Sequence, residues 1–345
     1  MKPLLLVSTL HGNHAAHSGY QALAAYLPEG RFLHTIRAEP KCGLPLLGAR
    51  LARRAAFSRW YLGGCAVLEA RAWKQLRGFS GIVHSMWTDH DLGFLDLMLN
   101  RRRHRLVGSF HNCDDTFVHT LRFPRRLRGF DAIILMSRTQ ERFFLEAGVK
   151  EERIHVVRHG VDTAYWTPAG TGPVGQMGPM FTVLAAGGYR RNFHLLKEVC
   201  LRLKDEGGIR FEIVGPVAWK ELFADLSNVR FRNGLNDADL LETYQQCSCL
   251  IQTVENATAN NVILEAMACG KAVVAERIGG IPEYVDERCA ILTEPGDAAG
   301  LAGAILELRN DPARLAALST GARKQAETLD WTVVAQQMRA IYETL

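Results

Sequence analysis

A chain of 345 residues is long for one hydrophobic core and natural for two domains. Its apolar share, 48%, is ordinary for a globular protein, and no apolar run approaches the ~18 residues of a membrane span, so no transmembrane helix is expected. The net charge of +5 is unevenly placed: residues 1–165 hold 24 Lys and Arg against 14 Asp and Glu, the remainder 17 against 22, which suits the first half to an anionic partner or surface.

Met1-Lys2-Pro3 leads into LLLVSTL. The run is too short for a signal peptide and is followed at once by His11, Asn13 and His14, so Leu4–Leu10 reads as a first buried strand. The eight cysteines form no C-x-x-C pair, and Cys247 and Cys249 are the only close couple; reduced thiols and a cytoplasmic location are expected. His11, His14 and His17 have irregular spacing and no interleaved carboxylate or cysteine, so no metal site is read there. From Tyr20 the spacing is helical, and Gly19 at its head permits a phosphate to approach backbone amides. The loop is not G-x-G-x-x-G, which argues against a dinucleotide fingerprint.

Residues 44–77 interleave Arg50, Arg53, Arg54, Arg59, Arg71, Lys74 and Arg77 with Leu47, Leu51, Phe57, Trp60 and Tyr61, a basic amphipathic helical region broken at Gly63-Gly64. Two readings stand: a solvated face, or peripheral contact with an anionic membrane. Arg101–Arg105 and Arg122–Arg128 add further basic clusters. Gly81–His84 and Leu106–Phe110 read as parallel strands. Loops at the carboxyl ends of such strands carry ligands in open α/β sheets, which makes His84, Trp87, Asp89, His90 and His111 candidates for one cleft, with Asp114 a further carboxylate. Phe130–Ser137 and Ile154–Val157 are further strands, with a helix over Thr139–Ala147 between them. Ala169–Met180 is rich in Gly and Pro and is the expected linker. Domains are therefore expected at 1–168 and 181–328, with 329–345 a final helix.

The second half restarts with a strand at Phe181–Ala185, then Gly187-Gly188-Tyr189-Arg190-Arg191-Asn192 and a helix. Two arginines in a glycine loop before a helix suit a diphosphate: forked donors, charge and free amides together. Strands follow at Phe211–Gly215 and Asn228–Phe231, then Asn233-Gly234-Leu235, a helix over Asp237–Gln246 and a strand over Cys249–Gln252. The stretch ENATANNVILEAMACGKAVVAERIGGIPEYV reads as loop, helix over Val262–Ala268, strand over Ala272–Ala275 and a turn at Gly279–Pro282. Glu265 is expected in that helix's first turn, where a carboxylate takes hydroxyls and the helix N-terminus takes phosphate. Helices are read over Ala298–Arg309, Pro312–Ala326 and Trp331–Leu345.

LEAMACGKAVVAERIGGIPEYV closely resembles the donor-sugar motif of GT-B glycosyltransferases, in particular the retaining family 4 (group 1) enzymes. The resemblance is strongest at 255–285, moderate at 130–200 and weak at 1–125. It implies an α/β fold of two doubly wound Rossmann-like domains facing across a cleft, with the last helix crossing back to the first domain. It implies transfer of a sugar from a nucleotide-diphosphate sugar (UDP- or GDP-type) to a sugar, lipid-linked or other hydroxyl acceptor, with retention and without a cofactor or metal. By the resemblance Arg191 and Arg190 neutralise the departing diphosphate, His111 lies near the reacting sugar carbon, and Gly19 and Gly188 admit the diphosphate. Backbone atoms of Asn233, Gly234 and Leu235 hold the base, and Glu265 belongs to the donor motif. His84, Trp87 and Asp89 are acceptor-side candidates. RHGVDTAYWTP resembles the interdomain element, with His159 in place of the usual asparagine and Gly160 expected to supply an unusual backbone conformation. The family pairs Glu265 with a glutamate eight positions earlier; here that position is Ala257. Glu255, two residues before it, or Asn256, Thr258, Asn260 and Asn261 then take the sugar hydroxyls, which makes this loop the place where sugar preference is set. The alternatives are a nucleotide-sugar epimerase or phosphorylase on the same fold, and a GT-B protein that binds an anionic surface without transfer. Nucleic acid is not expected as a partner, since no reading motif accompanies the arginines.

Overall fold

A computed structural model describes residues 2–10, 17–36, 51–170 and 180–345. His11, Asn13, His14, the basic stretch up to Arg50 and nearly all of the expected linker lie outside the described residues. The chain divides into two compact units, Met1–His159 with Trp331–Leu345, and Gly160–Asp330.

The first unit holds a six-stranded sheet in the order β2-β1-β3-β4-β5-β6, with β1 Leu4–Leu10, β2 Gly30–Ile36, β3 Gly81–Ser85, β4 His104–Phe110, β5 Ala132–Leu135 and β6 Ile154–Val156. All pairings are parallel, in register such as Leu4 opposite both Gly30 and Ile82. Leu5, Val7, Val83, Leu106, Ile133 and Leu135 are buried in one core, as near-continuous apolar strands require. Helix α1 (Gly63–Leu76) adds Leu68, Ala72 and Leu76 to it. Gly63-Gly64, expected as a break, opens this helix. Strand β2 has no counterpart in the expectations. It is the sheet's edge, and its Arg31, His34 and Ile36 are exposed, so it lacks the apolar run of an inner strand.

The second unit repeats the plan in the order β12-β11-β10-β7-β8-β9, again all parallel. Its strands are β7 Phe181–Ala186, β8 Ile209–Val214, β9 Val229–Arg232, β10 Cys249–Gln252, β11 Ala272–Glu276 and β12 Ala290–Thr293. Helices α2 (Phe193–Arg202) and α5 (Ala298–Asn310) pack Leu196, Val199, Leu301 and Ile305 into one core with Val183, Ile213 and Val274. Helices α3 (Asp237–Gln246), α4 (Asn261–Ala268) and α6 (Pro312–Glu327) pack Tyr244, Ile263, Met267 and Ala322 into a second core with Leu184, Leu250 and Val273. Strand side chains alternate between the two cores, which is the doubly wound arrangement. The turn expected at Gly279–Pro282 runs into a short helix over Ile281–Tyr284.

The last helix, α7 (Trp331–Glu343), belongs to the first unit, where Trp331, Val334, Met338 and Tyr342 are buried. A buried polar chain fixes it there. The Tyr342 hydroxyl meets His84 Nδ1 at 2.6 Å, His84 Nε2 meets Ser109 Oγ at 2.8 Å, and Ser109 donates to the Tyr20 hydroxyl at 3.1 Å. Burial lowers the His84 pKa to about 3, so its ring is neutral and accepts from Tyr342 while donating to Ser109. Replacing Tyr342 by Phe keeps the ring but strands a buried acceptor. Tyr342→Phe is expected to lower unfolding free energy by about 1–3 kcal/mol in urea titration; an unchanged midpoint and slope would show that this bond contributes nothing.

Candidate active site

In an open parallel sheet, ligands bind where the strand order reverses, beyond the carboxyl ends. In the second unit that point lies between β7 and β10. The loop after β7 is Gly187–Asn192, and the loop after β10 is Thr253–Asn260. The two are laced together: Glu255 N–H donates to Arg190 O at 3.0 Å, Asn192 N–H to Thr253 O at 3.1 Å, and Thr253 Oγ1 to Asn192 O at 2.9 Å. Asn192 also caps α2, accepting from Leu195 N–H at 3.0 Å. Gly187 has φ +94°, and a Cβ there would lie 2.6 Å from Arg191 Nη2, so only glycine fits. Arg190, at φ +53°, is the only non-glycine residue with positive φ among the described residues. Such backbone costs on the order of 1 kcal/mol and persists where surroundings impose it.

The lacing turns the Arg191 guanidinium inward. Nε donates to Ala186 O at 3.0 Å, Nη1 to Tyr189 O at 3.3 Å and Nη2 to Asn260 Oδ1 at 3.2 Å. With its amide turned to satisfy the network, the Gln252 oxygen also accepts from Arg191 Nε, at 2.6 Å. Burial lowers the Arg191 pKa to about 10, opposed by the nearby Tyr244 and Glu265, so it stays a cation at neutral pH. The Arg190 side chain is 20% exposed, and its Nε lies 4.0 Å from Glu255 Oε2.

Glu265 corrects an expectation. Asn260 is the N-cap of α4, so the helix starts at Asn261 and Glu265 is in its second turn. It is buried, and Oε2 accepts from the Tyr244 hydroxyl at 2.8 Å. Burial first and Glu265 second push Tyr244 well above its ordinary pKa, so the phenol remains a donor. Glu255 is exposed, Thr258 and Asn260 are buried, and Asn256 and Asn261 are half-buried. Asn256 Oδ1 accepts from Ala257 N–H at 2.8 Å. Gly188 packs against Pro216, where a Cβ would come within 2.6 Å of Cγ. Asn233, Gly234 and Leu235 follow β9, the first two exposed.

Three residues of this neighbourhood escaped the sequence. Tyr244 carries no local signal, and Gln252 ends an apolar strand. Glu276 is an acid at the end of the buried run β11. Its Oε2 accepts from Val254 N–H at 3.0 Å and its Oε1 from Gly296 N–H at 2.7 Å, so it anchors the start of the 253–260 loop.

In the first unit the strand order reverses between β1 and β3. His111 follows β4 half-buried, its Nε2 donating to Met86 O at 2.7 Å. Its ring stacks on Trp87 at 3.9 Å and meets Tyr20 edge-on at 4.6 Å. Trp87 and His111 are thus brought together. Asp89, expected as an acceptor-side carboxylate, is instead fully buried. Its Oδ2 accepts from the N–H groups of His111 at 2.8 Å and Asn112 at 2.7 Å, which fixes the turn that carries His111. His84 is likewise withdrawn from the acceptor side, since both ring nitrogens are satisfied within the core. Gly19 precedes the 3-10 turn Tyr20–Tyr26 at φ 89°, a conformation suited to glycine. His159 packs against Tyr20 and Trp331 at 5.7 and 5.0 Å, and Gly160 is not among the glycines with positive φ, so packing rather than strain holds this element. Among the described residues no group of three or more His, Cys, Asp or Glu is placed to hold a metal ion, and no helix is long and apolar enough to cross a membrane.

Residues 181–311 match the family described as Glycosyl transferases group 1, and residues 46–165 match Glycosyltransferase Family 4. MMP alpha-(1->4)-mannosyltransferase of Mycolicibacterium hassiacum is 30% identical over 229 residues, 62% of this chain and 54% of that protein. D-inositol 3-phosphate glycosyltransferase 1 of Catenulispora acidiphila is 28% identical over 221 residues, 57% of this chain and 53% of that protein. The chain thus spans about half the length of these curated relatives. Among solved structures, Anabaena HepE in complex with UDP is similar with a TM-score of 0.73 and 18% identity over 100% of both chains. Sucrose-phosphate synthase of Thermosynechococcus elongatus is similar with a TM-score of 0.74 and 15% identity, over 99% of this chain and 98% of that one. Both likenesses are of fold.

Asp89 makes stability depend on pH. Burial raises its pKa from 3.8 to about 7, against the lowering effect of the two N–H donors. The folded state therefore binds the proton more tightly than the unfolded state, and this contribution falls as pH rises from about 4 to 7. Asp89→Asn keeps an acceptor for both N–H groups and is expected to flatten the melting temperature across that window; an equal slope in both proteins would refute the assignment.

Proposed function

Because the chain belongs to the family 4 (group 1) glycosyltransferases of the GT-B fold, we propose that it moves a sugar from a nucleotide-diphosphate sugar to an acceptor hydroxyl with retention and without a metal. One observation carries this reading: a cationic loop is laced to a polar loop and a buried glutamate at the switch point of the second sheet. The second unit takes the donor. Gly187 to Arg191 receives the diphosphate, and Glu265, held by Tyr244, receives hydroxyls of the nucleotide end. The loop from Glu255 to Asn261 takes the sugar, and the backbone of Asn233 to Leu235 takes the base. HepE solved with UDP and with UDP-glucose supports a uridine donor. The first unit takes the acceptor, with Trp87 as an apolar platform beneath His111.

The reaction breaks the bond between the sugar's anomeric carbon and the diphosphate oxygen. That electron pair leaves with the diphosphate, where Arg190 and Arg191 stabilise the growing charge. The acceptor oxygen bonds to the same face of the oxocarbenium-like carbon, and its proton passes to the departing phosphate. The products are a glycoside and a nucleoside diphosphate, and no protein general base is required.

Release of nucleoside diphosphate from labelled UDP- and GDP-sugars, over a panel of sugar and lipid-linked acceptors, tests this reading. Turnover is expected, with Arg191→Ala reducing it by about 100-fold or more. Donor binding with no turnover on any acceptor would instead favour a binding protein on this fold. Tyr244→Phe retains the ring but leaves a buried carboxylate oxygen without its donor. It is expected to raise the KM for donor by roughly tenfold while kcat changes little, as loss of uniform binding does; a fall in kcat at constant KM would move Tyr244 into the chemical step.

A further inference from the structure

Helix α1 divides into an inner and an outer face. Cys65, Leu68, Glu69, Ala72 and Leu76 are buried. Glu69 is the only acid on the helix, and it faces inward. Its carboxylate accepts from the N–H groups of Gly93, Phe94 and Leu95 and from the Tyr61 hydroxyl. The outer face consists of Val67, Ala70, Arg71, Trp73 and Lys74, continued by Arg77, all exposed. Trp73 is 51% and Val67 53% exposed, and the Arg77 guanidinium lies 5.2 Å from the centre of the Trp73 ring. Arg71 Nη1 reaches His34 O on the edge strand β2 at 3.0 Å, and Ile36 of that strand is 71% exposed.

Every formal charge on this helix face is positive, and bulky apolar groups stand among the charges. A soluble polyanion pairs with the cations but gains nothing from Val67, Trp73 and Ile36. An anionic bilayer satisfies both, with cations at the phosphates and apolar groups at the acyl boundary, where tryptophan is favoured. The rest of the molecule agrees. Of the twelve large exposed hydrophobic side chains among the described residues, only Met180, Tyr189, Leu201 and Val217 lie in the second unit. Excess positive charge and exposed apolar surface thus share one unit.

We propose that the outer face of α1, with Val67, Arg71, Trp73, Lys74 and Arg77, docks on an anionic lipid bilayer. The docking is peripheral and independent of the transfer chemistry, so lipid binding and turnover fail separately in experiment. The full chain is sedimented with vesicles of phosphatidylcholine alone and of phosphatidylcholine with phosphatidylglycerol. Binding is expected only to the second kind and is expected to weaken as salt is raised. The triple variant Arg71→Glu, Lys74→Glu, Arg77→Glu, checked for folding by circular dichroism, is expected to lose it. Trp73→Ser is expected to weaken it by roughly tenfold. Arg142→Glu with Lys150→Glu, a charge change at exposed positions elsewhere in the unit, is expected to leave it intact. The proposal is overturned if phosphatidylglycerol vesicles fail to sediment the wild type, or if the triple variant binds as well as the wild type. It is equally overturned if the Arg142 and Lys150 variant loses as much, or if Trp73→Ser has no effect.

Discussion

The loops at the switch point of the second sheet depend on one amide oxygen. Asn260 Oδ1 caps helix α4 through Ile263 N–H and also accepts from Arg191 Nη2. The same atom therefore ends one loop, starts one helix and holds the guanidinium of another loop. Without the cap, α4 leaves an N–H unsatisfied, at a cost of about 1 kcal/mol. Without the arginine contact, a half-buried cation loses a partner, which costs more. The strained backbone of Arg190 is explained by the same constraint. Its carbonyl is committed to Glu255 N–H on one side, and the next residue must turn its guanidinium inward on the other. A left-handed residue satisfies both, and the cost is offset by the contacts it makes possible.

In the first unit, a buried carboxyl group does comparable work. Asp89 is buried and gathers the backbone of His111 and Asn112, and Trp87 and Tyr20 wall the His111 ring. The histidine is thereby fixed in direction by groups from two separate segments, Trp87 to Asp89 and Tyr20. The chain from Tyr342 through His84 and Ser109 to Tyr20 continues inward from this wall and ties the last helix to the first turn. Polar residues that read as candidates for substrate contact turn out to be the means by which the His111 ring is oriented.

Much of this was legible in the sequence, and the pattern of what was not is physical. Inner strands such as β1 and β10 announce themselves because both faces are buried and the run is apolar. The edge strand β2 exposes Arg31, His34 and Ile36, and its pairing to β1 supplies what its composition lacks. The glycine loop and the LEAMACG helix were identifiable because turn glycines and helix caps act within a few residues. Glu265 falls in the second turn rather than the first because the helix starts one residue earlier than its apolar spacing suggests, capped by Asn260, one of several polar residues that fit the role locally. The burial of His84 was not legible at all: its partners lie 25 and 258 residues away, and nothing local separates a core histidine from one facing solvent.

The absence of a glutamate at position 257 is more than a deleted side chain. Ala257 is buried with Val254 and Ile281, and its carbonyl accepts from Gly280 N–H at 2.7 Å. Gly279, at φ +54°, passes so close to Ala257 O and Asn256 Oδ1 that a Cβ there would overlap both. A long acidic side chain at 257, following the same Cα–Cβ direction, would enter an apolar core at a large desolvation cost. The loop is packed around alanine. Its backbone is held at Val254 by Glu276, at Glu255 by Arg190, at Ala257 by Gly280 and at Asn260 by its own cap. Those four points are backbone or end-of-loop bonds that do not depend on the side chains of Glu255 or Asn256. A frame held in this way tolerates exchange of the side chains between its anchors, so the chemistry the loop presents can change while Arg191 and Glu265 stay where they are.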